Sequence, residues 1–373
     1  MSQVDVLPHP SVLAHITDAH CHPTDGHNAV PTEAMERLQI KICAMSCIEL
    51  DQAKVKALAK KFPEKVTPGF GHHPWFSHWI STETSLSTDN TQGLSEKERH
   101  YRNLLLPQNS APSLESEFAE MLSHLPNPIP LTAVINTLRD DLLAFPNAML
   151  GEVGLDSYFR VPVDFSASPR IRTSFHVPLK HQIEILEAQI DVALETERNV
   201  SFHSVKCQLA TLELFERMEK KWGEEAWRKI SIDMHSCGFS KQGWIDLEVG
   251  MEFLVFRKVD DDFSQKKHEN VFMSLSTVIN LKKSSLPSRE LIAACSPDRI
   301  LVESDYDDID MITPQTWDMV KFIADVRGWP VETEWRDDLD LDEKDWGVVR
   351  RLERNWNKFK AGNYPVKTNK RKK

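Results

Sequence analysis

Residues 16–22, ITDAHCH, have the pattern of a short buried β-strand that ends in polar side chains. In a strand, residues i and i+2 point to the same side, so His20 and His22 project together. If this strand belongs to a parallel barrel, the two imidazoles face the C-terminal mouth, where barrel enzymes carry their active sites. An HxH pair alone only suggests a metal site, because packed structural histidines give the same pattern. The other strands decide between these interpretations.

Seven further segments have strand character, and helical patterns separate several of them. The alternation predicts an α/β protein with a parallel sheet, and eight strands are the number that closes a (β/α)8 TIM barrel. An open doubly wound sheet is the competing fold, but the chain has no GxGxxG or GxxxxGK[ST] phosphate loop. The predicted strands are 16–22, 41–47, 66–73, 148–155, 200–205, 230–235, 271–277 and 299–305, and the predicted helices include 52–62, 180–196, 209–221 and 241–249.

Two stretches depart from this alternation. Residues 77–130 are rich in Ser, Thr, Asn and Pro and predict a surface insertion with modest helical content, as in 113–125, that is partly disordered. Residues 331–345 carry eight acidic and two basic side chains, and a basic amphipathic helix is predicted at 346–360. We therefore predict one barrel domain over 1–330, with its insertion, followed over 331–373 by an acidic linker, a terminal helix and a basic tail.

Composition restricts the class of protein. Of the 373 residues, 40% are hydrophobic, which is enough for a sizeable core and excludes disorder as the main state. There is no run of 18 apolar residues and no N-terminal secretory pattern, so we expect no membrane segment. Six cysteines without CxxC spacing favour a reducing compartment. The expected location is the cytoplasm, and the tail KTNKRKK at 367–373 is also consistent with a nuclear signal.

The net charge is −11, and the five basic residues of the tail leave −16 for the rest of the chain. Such a body is not expected to bind nucleic acid through a broad basic surface. A polyanionic substrate would have to be held locally.

Ligand-type side chains end four other predicted strands. Glu152 ends the fourth strand, His203 the fifth, His235 the sixth and Asp305 the eighth. Because barrel strands converge at their C-terminal ends, these groups should surround a common point with the histidines of the first strand. A structural histidine or a helix-capping aspartate could explain any one of them, but hardly all. The pattern therefore favours a metal-dependent active site.

These motifs resemble the TatD-type metal-dependent deoxyribonucleases, within the amidohydrolase-like hydrolase barrels. The resemblance covers about 16–306 apart from the insertion, and its carriers are DAHCH (18–22), GHHPW (71–75), GEVGLDSYF (151–159), His203, His235 and LVESD (301–305). It implies a metal-dependent hydrolase that cleaves phosphodiester bonds of DNA with a metal-activated water. It also implies two divalent ions, which could be Zn²⁺, Mn²⁺ or Mg²⁺. The implied ligands are His20, His22 and Asp305 for the first ion, His203 and His235 for the second, and Glu152 as the bridge.

The resemblance also suggests catalytic roles. Asp305, a carboxylate linked to the metal, is the best candidate for the general base, and Glu152 belongs to the catalytic set as the bridge. His73 follows the third strand and would contact the substrate phosphate, although a packed histidine is the alternative. Two more aspartates have weaker expected roles: Asp156 in positioning a ligand loop and Asp18 in orienting an imidazole.

The chain departs from the family pattern around the substrate. Family members usually have an arginine two positions after the fifth-strand histidine, where this chain has Val205, and a second histidine where it has Trp75. The usual ETDxP reads ESDYD at 303–307. The metal ligands are intact and the substrate contacts are altered, which leaves two alternatives open. One is hydrolysis of another ester or amide bond, and the other is a non-catalytic scaffold that binds a protein partner through the insertion or the C-terminal region.

Overall fold

Seven parallel strands form one sheet in the part of the chain that the structure describes. This computed structural model describes residues 7–26, 29–86, 93–249, 268–282, 284–336 and 342–366. Strand neighbours in the sheet follow the order of the chain, as in a barrel. The strands are β1 (Thr17–Cys21), β2 (Lys41–Met45), β3 (Val66–Phe70), β4 (Met149–Asp156), β5 (Val200–Val205), β6 (Ile232–Met234) and β7 (Val271–Met273).

The predicted eighth strand, 299–305, is an extended segment that lacks regular strand geometry. Its backbone nevertheless bonds to both edges of the sheet. Leu301 N–H donates to the carbonyl oxygen of Met273 in β7 at 2.8 Å, and Ala19 N–H of β1 donates to Val302 at 2.9 Å. Asp305 N–H also donates to the carbonyl oxygen of His20 at 3.0 Å. The segment therefore closes the ring, and the predicted (β/α)8 barrel is confirmed.

Helices cover the outside of the barrel. Leu179–Thr196 buries Leu186 and Ile190 in the core that the strands also line, and burial of each side chain contributes about 1.5–3 kcal/mol. This helix ends where Glu197 takes a left-handed conformation. The α-helices are Pro10–Leu13, Thr32–Arg37, Glu49–Lys61, Glu83–Leu86, Glu96–Leu105, Pro112–His124, Leu131–Ala144, Leu179–Thr196, Gln208–Trp222, Glu224–Trp227, Lys241–Val249, Thr277–Asn280, Leu286–Ala294, Ile309–Arg327 and Val348–Ala361, and the 3-10 turns are Pro74–Trp79, Pro297–Arg299 and Glu343–Asp345.

The insertion is more regular than its composition predicts. Its described residues contain three helices, the longest of them Pro112–His124, and a short parallel strand pair, Ile80–Ser81 with Ile129–Pro130. The prediction of modest helical content is therefore wrong, although the helix predicted at 113–125 is confirmed. The reason is that Ser and Pro here start helices: the Ser95 hydroxyl caps Glu96–Leu105, and Pro112 occupies a first-turn position.

The C-terminal helix packs against the barrel on the side opposite its mouth. Trp356 and Phe359 of Val348–Ala361, with Tyr364, form a core cluster with side chains from β1, β2, β4 and β7. Trp356 and Phe359 also line a cavity of about 680 Å³ beside the N-terminal residues of several strands. The basic tail, 367–373, lies outside the described residues, as does the proposed nuclear signal. No described helix combines the length and apolar character needed to cross a bilayer.

Candidate active site

The structure brings all the predicted site residues together at the C-terminal ends of the strands. Each belongs to a strand or to the residues that follow it, so the closing of the barrel determines their positions. Their side chains are buried or nearly so. They are His20, His22, His73, Glu152, His203, His235 and Asp305.

Glu152 lies at the centre of this cluster, and its Oε2 atom faces the first strand. Oε2 is 3.2 Å from Nε2 of His22 and 3.6 Å from Nε2 of His20. The two histidine nitrogens are 3.0 Å apart. Asp305 completes this first group, with Oδ1 3.6 Å from Nε2 of His22 and 3.9 Å from Nε2 of His20.

The other carboxylate oxygen of Glu152, Oε1, faces a second group of three histidines. It lies 2.7 Å from Nε2 of His235, 2.8 Å from Nδ1 of His203 and 3.1 Å from Nε2 of His73. His73, for which the resemblance implies a phosphate contact, is therefore beside the carboxylate of Glu152. Each oxygen of Glu152 thus has its own set of imidazoles, which is the arrangement expected of a carboxylate between two ions.

A glycine in β4 allows Glu152 to lie close to His203 of the neighbouring strand. Gly154, two residues after Glu152, has φ of 156°, and a Cβ atom there would collide with the carbonyl oxygen of His203 in β5. Glycine avoids the collision because it has no side chain. Strands β4 and β5 can then lie close enough for Glu152 and His203 to meet.

Electrostatics keep the central carboxylate ionised. Burial raises the pKa of Glu152, but His73, His235 and the hydrogen bonds of neighbouring imidazoles lower it further, so that it lies well below the usual range. Burial also raises the pKa of Asp305, and there the neighbouring imidazoles of His235 and His22 do not reverse the shift, so this pKa stays above its usual value. The two carboxylates therefore differ in basicity, and Asp305 is the better proton acceptor of the pair.

The imidazoles are held by further contacts. Nδ1 of His20 lies 2.7 Å from the Ser201 hydroxyl, which leaves Nε2 directed at Glu152. This bond comes from Ser201 rather than Asp18, whose carboxylate instead accepts the backbone N–H groups of His20 and Ser304. Such partners fix the orientation of metal-binding imidazoles.

Asp156 connects the second group to an aromatic wall. Its Oδ2 accepts the indole N–H of Trp75 at 2.7 Å and lies 3.5 Å from Nε2 of His203. Its Oδ1 accepts the backbone N–H groups of Tyr158 and Phe159. Burial raises the pKa of Asp156, but the bonds from His203 and Trp75 lower it to about 2.

Sequence reasoning gave no role to two groups beside the site. Glu303 is fully buried, accepts the backbone N–H and hydroxyl of Ser236, and could join His20 and His235 in holding an ion. Glu303 and Asp305 are two residues apart, so the same-side rule for strands could have identified it. The Cys47 thiol lies 3.8 Å from Nδ1 of His22, and no pattern in the sequence indicated it.

The donor set fits divalent cations. Imidazole nitrogens and carboxylate oxygens suit Zn²⁺, Mn²⁺ and related ions. Two nitrogens bound to one tetrahedral zinc at about 2.0–2.1 Å would lie roughly 3.3 Å apart, close to the 3.0 Å between His20 and His22. His20, His22 and Glu152 form one potential ligand group, and His73, Glu152 and His203 form another. A closed barrel with such groups at its mouth defines the class of metal-dependent hydrolases.

Comparisons with known proteins agree with this class. Residues 17–335 match the model of the TatD related DNase family, and the chain belongs to that family. The structure resembles the TatD homologue YJJV of Escherichia coli K12, with a TM-score of 0.52 and 15% identity over 95% of this chain and 100% of that one. This likeness supports the fold.

Two fungal relatives are similar in sequence. The Cut9-interacting protein scn1 of Schizosaccharomyces pombe is 36% identical over 213 residues, 56% of this chain and 59% of its own length. The uncharacterized deoxyribonuclease YMR262W of Saccharomyces cerevisiae is 28% identical over 302 residues, 78% of this chain and 83% of its own length. The alignment with the first relative thus leaves about two fifths of that protein uncovered.

Proposed function

We propose that this protein hydrolyses phosphodiester bonds of DNA with two divalent ions, Zn²⁺, Mn²⁺ or Mg²⁺, held on either side of Glu152. The observation that supports this best is that the two oxygens of Glu152 face separate imidazole groups. His20, His22 and Asp305 would hold the first ion, and His203 and His235 the second. Bound there, the ions would lower the pKa of a water molecule and offset phosphate charge in an otherwise acidic protein.

The protein's own side chains would orient the reactants and move the proton. Asp305, whose pKa burial raises, takes the proton of the attacking water. His73 is buried beside Glu152, and burial lowers its pKa to about 4, so its imidazole is neutral near pH 7. Because Nδ1 of His73 accepts the backbone N–H of Trp75, the proton of the neutral ring lies on Nε2, 3.1 Å from Oε1 of Glu152, and a bound phosphate would share this N–H with Glu152.

Digestion of single-stranded oligodeoxynucleotides by the purified full-length protein tests this function. Chelator should abolish cleavage, and adding back Mn²⁺, Zn²⁺ or Mg²⁺ separately should restore it and identify the preferred ion. Cleavage that continues unchanged in chelator would contradict the proposal. Cleavage of ester or amide substrates, with none of oligonucleotides, would favour the alternative hydrolase.

A protein partner is a second candidate, because one relative is named for an interaction with Cut9. The apolar faces of the insertion and of the C-terminal helix pack inside this molecule, so a partner would contact their polar faces.

We also propose that the protein is located in the cytoplasm and that its basic tail directs part of it to the nucleus. Fluorescent fusions of the full chain and of a chain without residues 367–373 test this, since only the first should enter nuclei.

A further inference from the structure

A cavity of about 420 Å³ opens beside the metal-ligand cluster, and its lining is unusual for this chain. His203, His235 and Asp305 of the cluster form one side. Arginines at positions 160, 170 and 172 line it as well. We call this cavity the arginine cleft. Its volume lies in the range of about 300–1,000 Å³ that is typical of ligand sites.

The three arginines have no acidic partner among the described residues. Arg160 donates to the carbonyl oxygen of Ser174 at 2.7 Å, and Arg170 donates to the carbonyl oxygen of Phe165 at 2.7 Å, so neither charge is neutralised. The Arg172 side chain is exposed. In a chain of net charge −11, three unneutralised guanidinium groups in one cleft indicate an anionic ligand.

The arginines lie on a paired loop. Val161 N–H donates to Phe175 at 3.0 Å, Val163 N–H donates to Ile171 at 2.9 Å, and the Arg160 side chain donates to Ser174, so residues 160–175 form a flap whose two arms bond to each other. The bridge between Pro162 and Arg172 is antiparallel. The three arginines are therefore carried by an ordered segment and line the same cleft as His203, His235 and Asp305.

The insertion supports this flap from behind. Val161 and Phe175 are buried in a hydrophobic cluster with Tyr101 and Phe118 of the insertion helices. Glu117 of the same insertion accepts the backbone N–H of Ser174 at 2.9 Å. The insertion thus holds in place the loop that carries the arginines.

We propose that the arginine cleft binds the phosphate backbone of single-stranded DNA next to the bond that is cleaved. The inference rests on the proposed function. Guanidinium groups suit phosphate because they donate paired hydrogen bonds in a planar fork. Val205 also lines the cleft, so the arginines of the flap supply the positive charge that strand β5 lacks at this position.

The aromatic wall fits the same ligand. The rings of Trp75 and Phe159 stack with centroids 5.0 Å apart and planes at 13°. Tyr158, 64% exposed, lies beside them in the lining of the cleft. An exposed aromatic ring next to basic groups is the combination with which proteins bind single strands, through base stacking and backbone contacts.

The test compares two substrates and two triple variants. Bis(p-nitrophenyl) phosphate has one phosphate group, the one that is hydrolysed, whereas an oligodeoxynucleotide has neighbouring phosphates that the flap could bind. The variant R160A/R170A/R172A should raise KM for the oligonucleotide roughly tenfold or more and leave hydrolysis of the small diester unchanged. The control R37A/R217A/R289A removes the same charge from exposed ion pairs elsewhere and should affect neither substrate. Equal effects of the two triple variants would overturn the proposal.

Binding separates this proposal from the proposed function. Fluorescence anisotropy with a labelled phosphorothioate oligodeoxynucleotide measures affinity in the metal-loaded full chain, whether or not cleavage occurs. Loss of three phosphate contacts should lower the slope of log Kd against log salt by about 2, at about 0.7 per contact for single strands. An unchanged slope in the triple variant, or no binding by the unmodified protein, would refute phosphate binding by the arginine cleft. Binding without hydrolysis of either substrate would refute the proposed function alone.

Discussion

The Oε1 atom of Glu152 lies 2.7 Å from Nε2 of His235, although the two residues come from strands that are not neighbours. Glu152 lies in β4, and His235 directly follows β6. The curvature of the sheet brings them together, because the ends of all barrel strands point into one mouth. The same curvature places the other oxygen of Glu152 near His22 after β1.

Replacement of Asp305 by Asn should separate proton transfer from metal binding. The amide keeps the shape and one oxygen but cannot accept the proton, so we expect kcat to fall by about 10²–10⁴ at saturating metal. Steady-state kinetics over a series of metal concentrations measures this. Full recovery of kcat at high metal would show that Asp305 acts only as a ligand. Asp310→Asn, an exposed change in the next helix, is the control.

Replacement of Trp75 by Phe should weaken the second metal group. The change keeps an aromatic ring near Phe159 and removes the indole N–H that bonds to Asp156, which in turn contacts His203. Loss of such a supporting bond typically lowers metal affinity about 10–100-fold. Titration of metal-free protein measures this. Trp79→Phe is the matched control, because the buried indole N–H of Trp79 has no hydrogen-bond partner among the residues that the structure describes. Equal metal affinities in the two variants would contradict the role of Trp75.

Acid should destabilise the region around the insertion. Burial lowers the pKa of His100 to about 4 and that of His78 to about 3, below the value of about 6.5 in the unfolded chain. The unfolded state therefore binds more protons between these values, and stability falls as the pH drops from about 6.5 to 4. His100→Gln should reduce this loss by up to about 1.4 kcal/mol per pH unit, measured by urea unfolding. The exposed change His9→Gln is the control. If the stability of His100→Gln depended on pH as strongly as that of the unmodified protein or of this control, the prediction would be contradicted.

The sequence predicts the barrel well because its strands are buried and short. The segment 200–205 matches β5 in full, and the helix 241–249 also has the predicted bounds. The sequence predicts the position of the eighth segment, 299–305, but not its conformation. Its backbone bonds to both neighbouring strands, but the pairing is irregular. The insertion is more helical than its composition predicts, because Ser and Pro, which are common in loops, here start helices.

The site was predicted only where strand periodicity applies. His20 lies near the end of β1, whereas Glu152, predicted to end its strand, lies within β4, which continues to Asp156. Their convergence nevertheless follows from the fold alone. Arg160 and Arg172 lie in a flap that no periodicity marks, and their role depends on a cleft that only the folded chain forms. The position of His73 beside Glu152 likewise depends on the turn after β3.

The number of metal ions bound by the purified protein tests whether Glu152 joins two metal groups. Elemental analysis of the metal-loaded protein should give two divalent ions per chain, and Glu152→Gln should lower this number, because the neutral amide removes the shared charge between two sets of imidazoles. Glu187→Gln, a change at a half-buried carboxylate that pairs with Arg217, should retain both ions. One ion or none in the unmodified protein, or two ions in Glu152→Gln, would contradict a site in which Glu152 joins two metal groups.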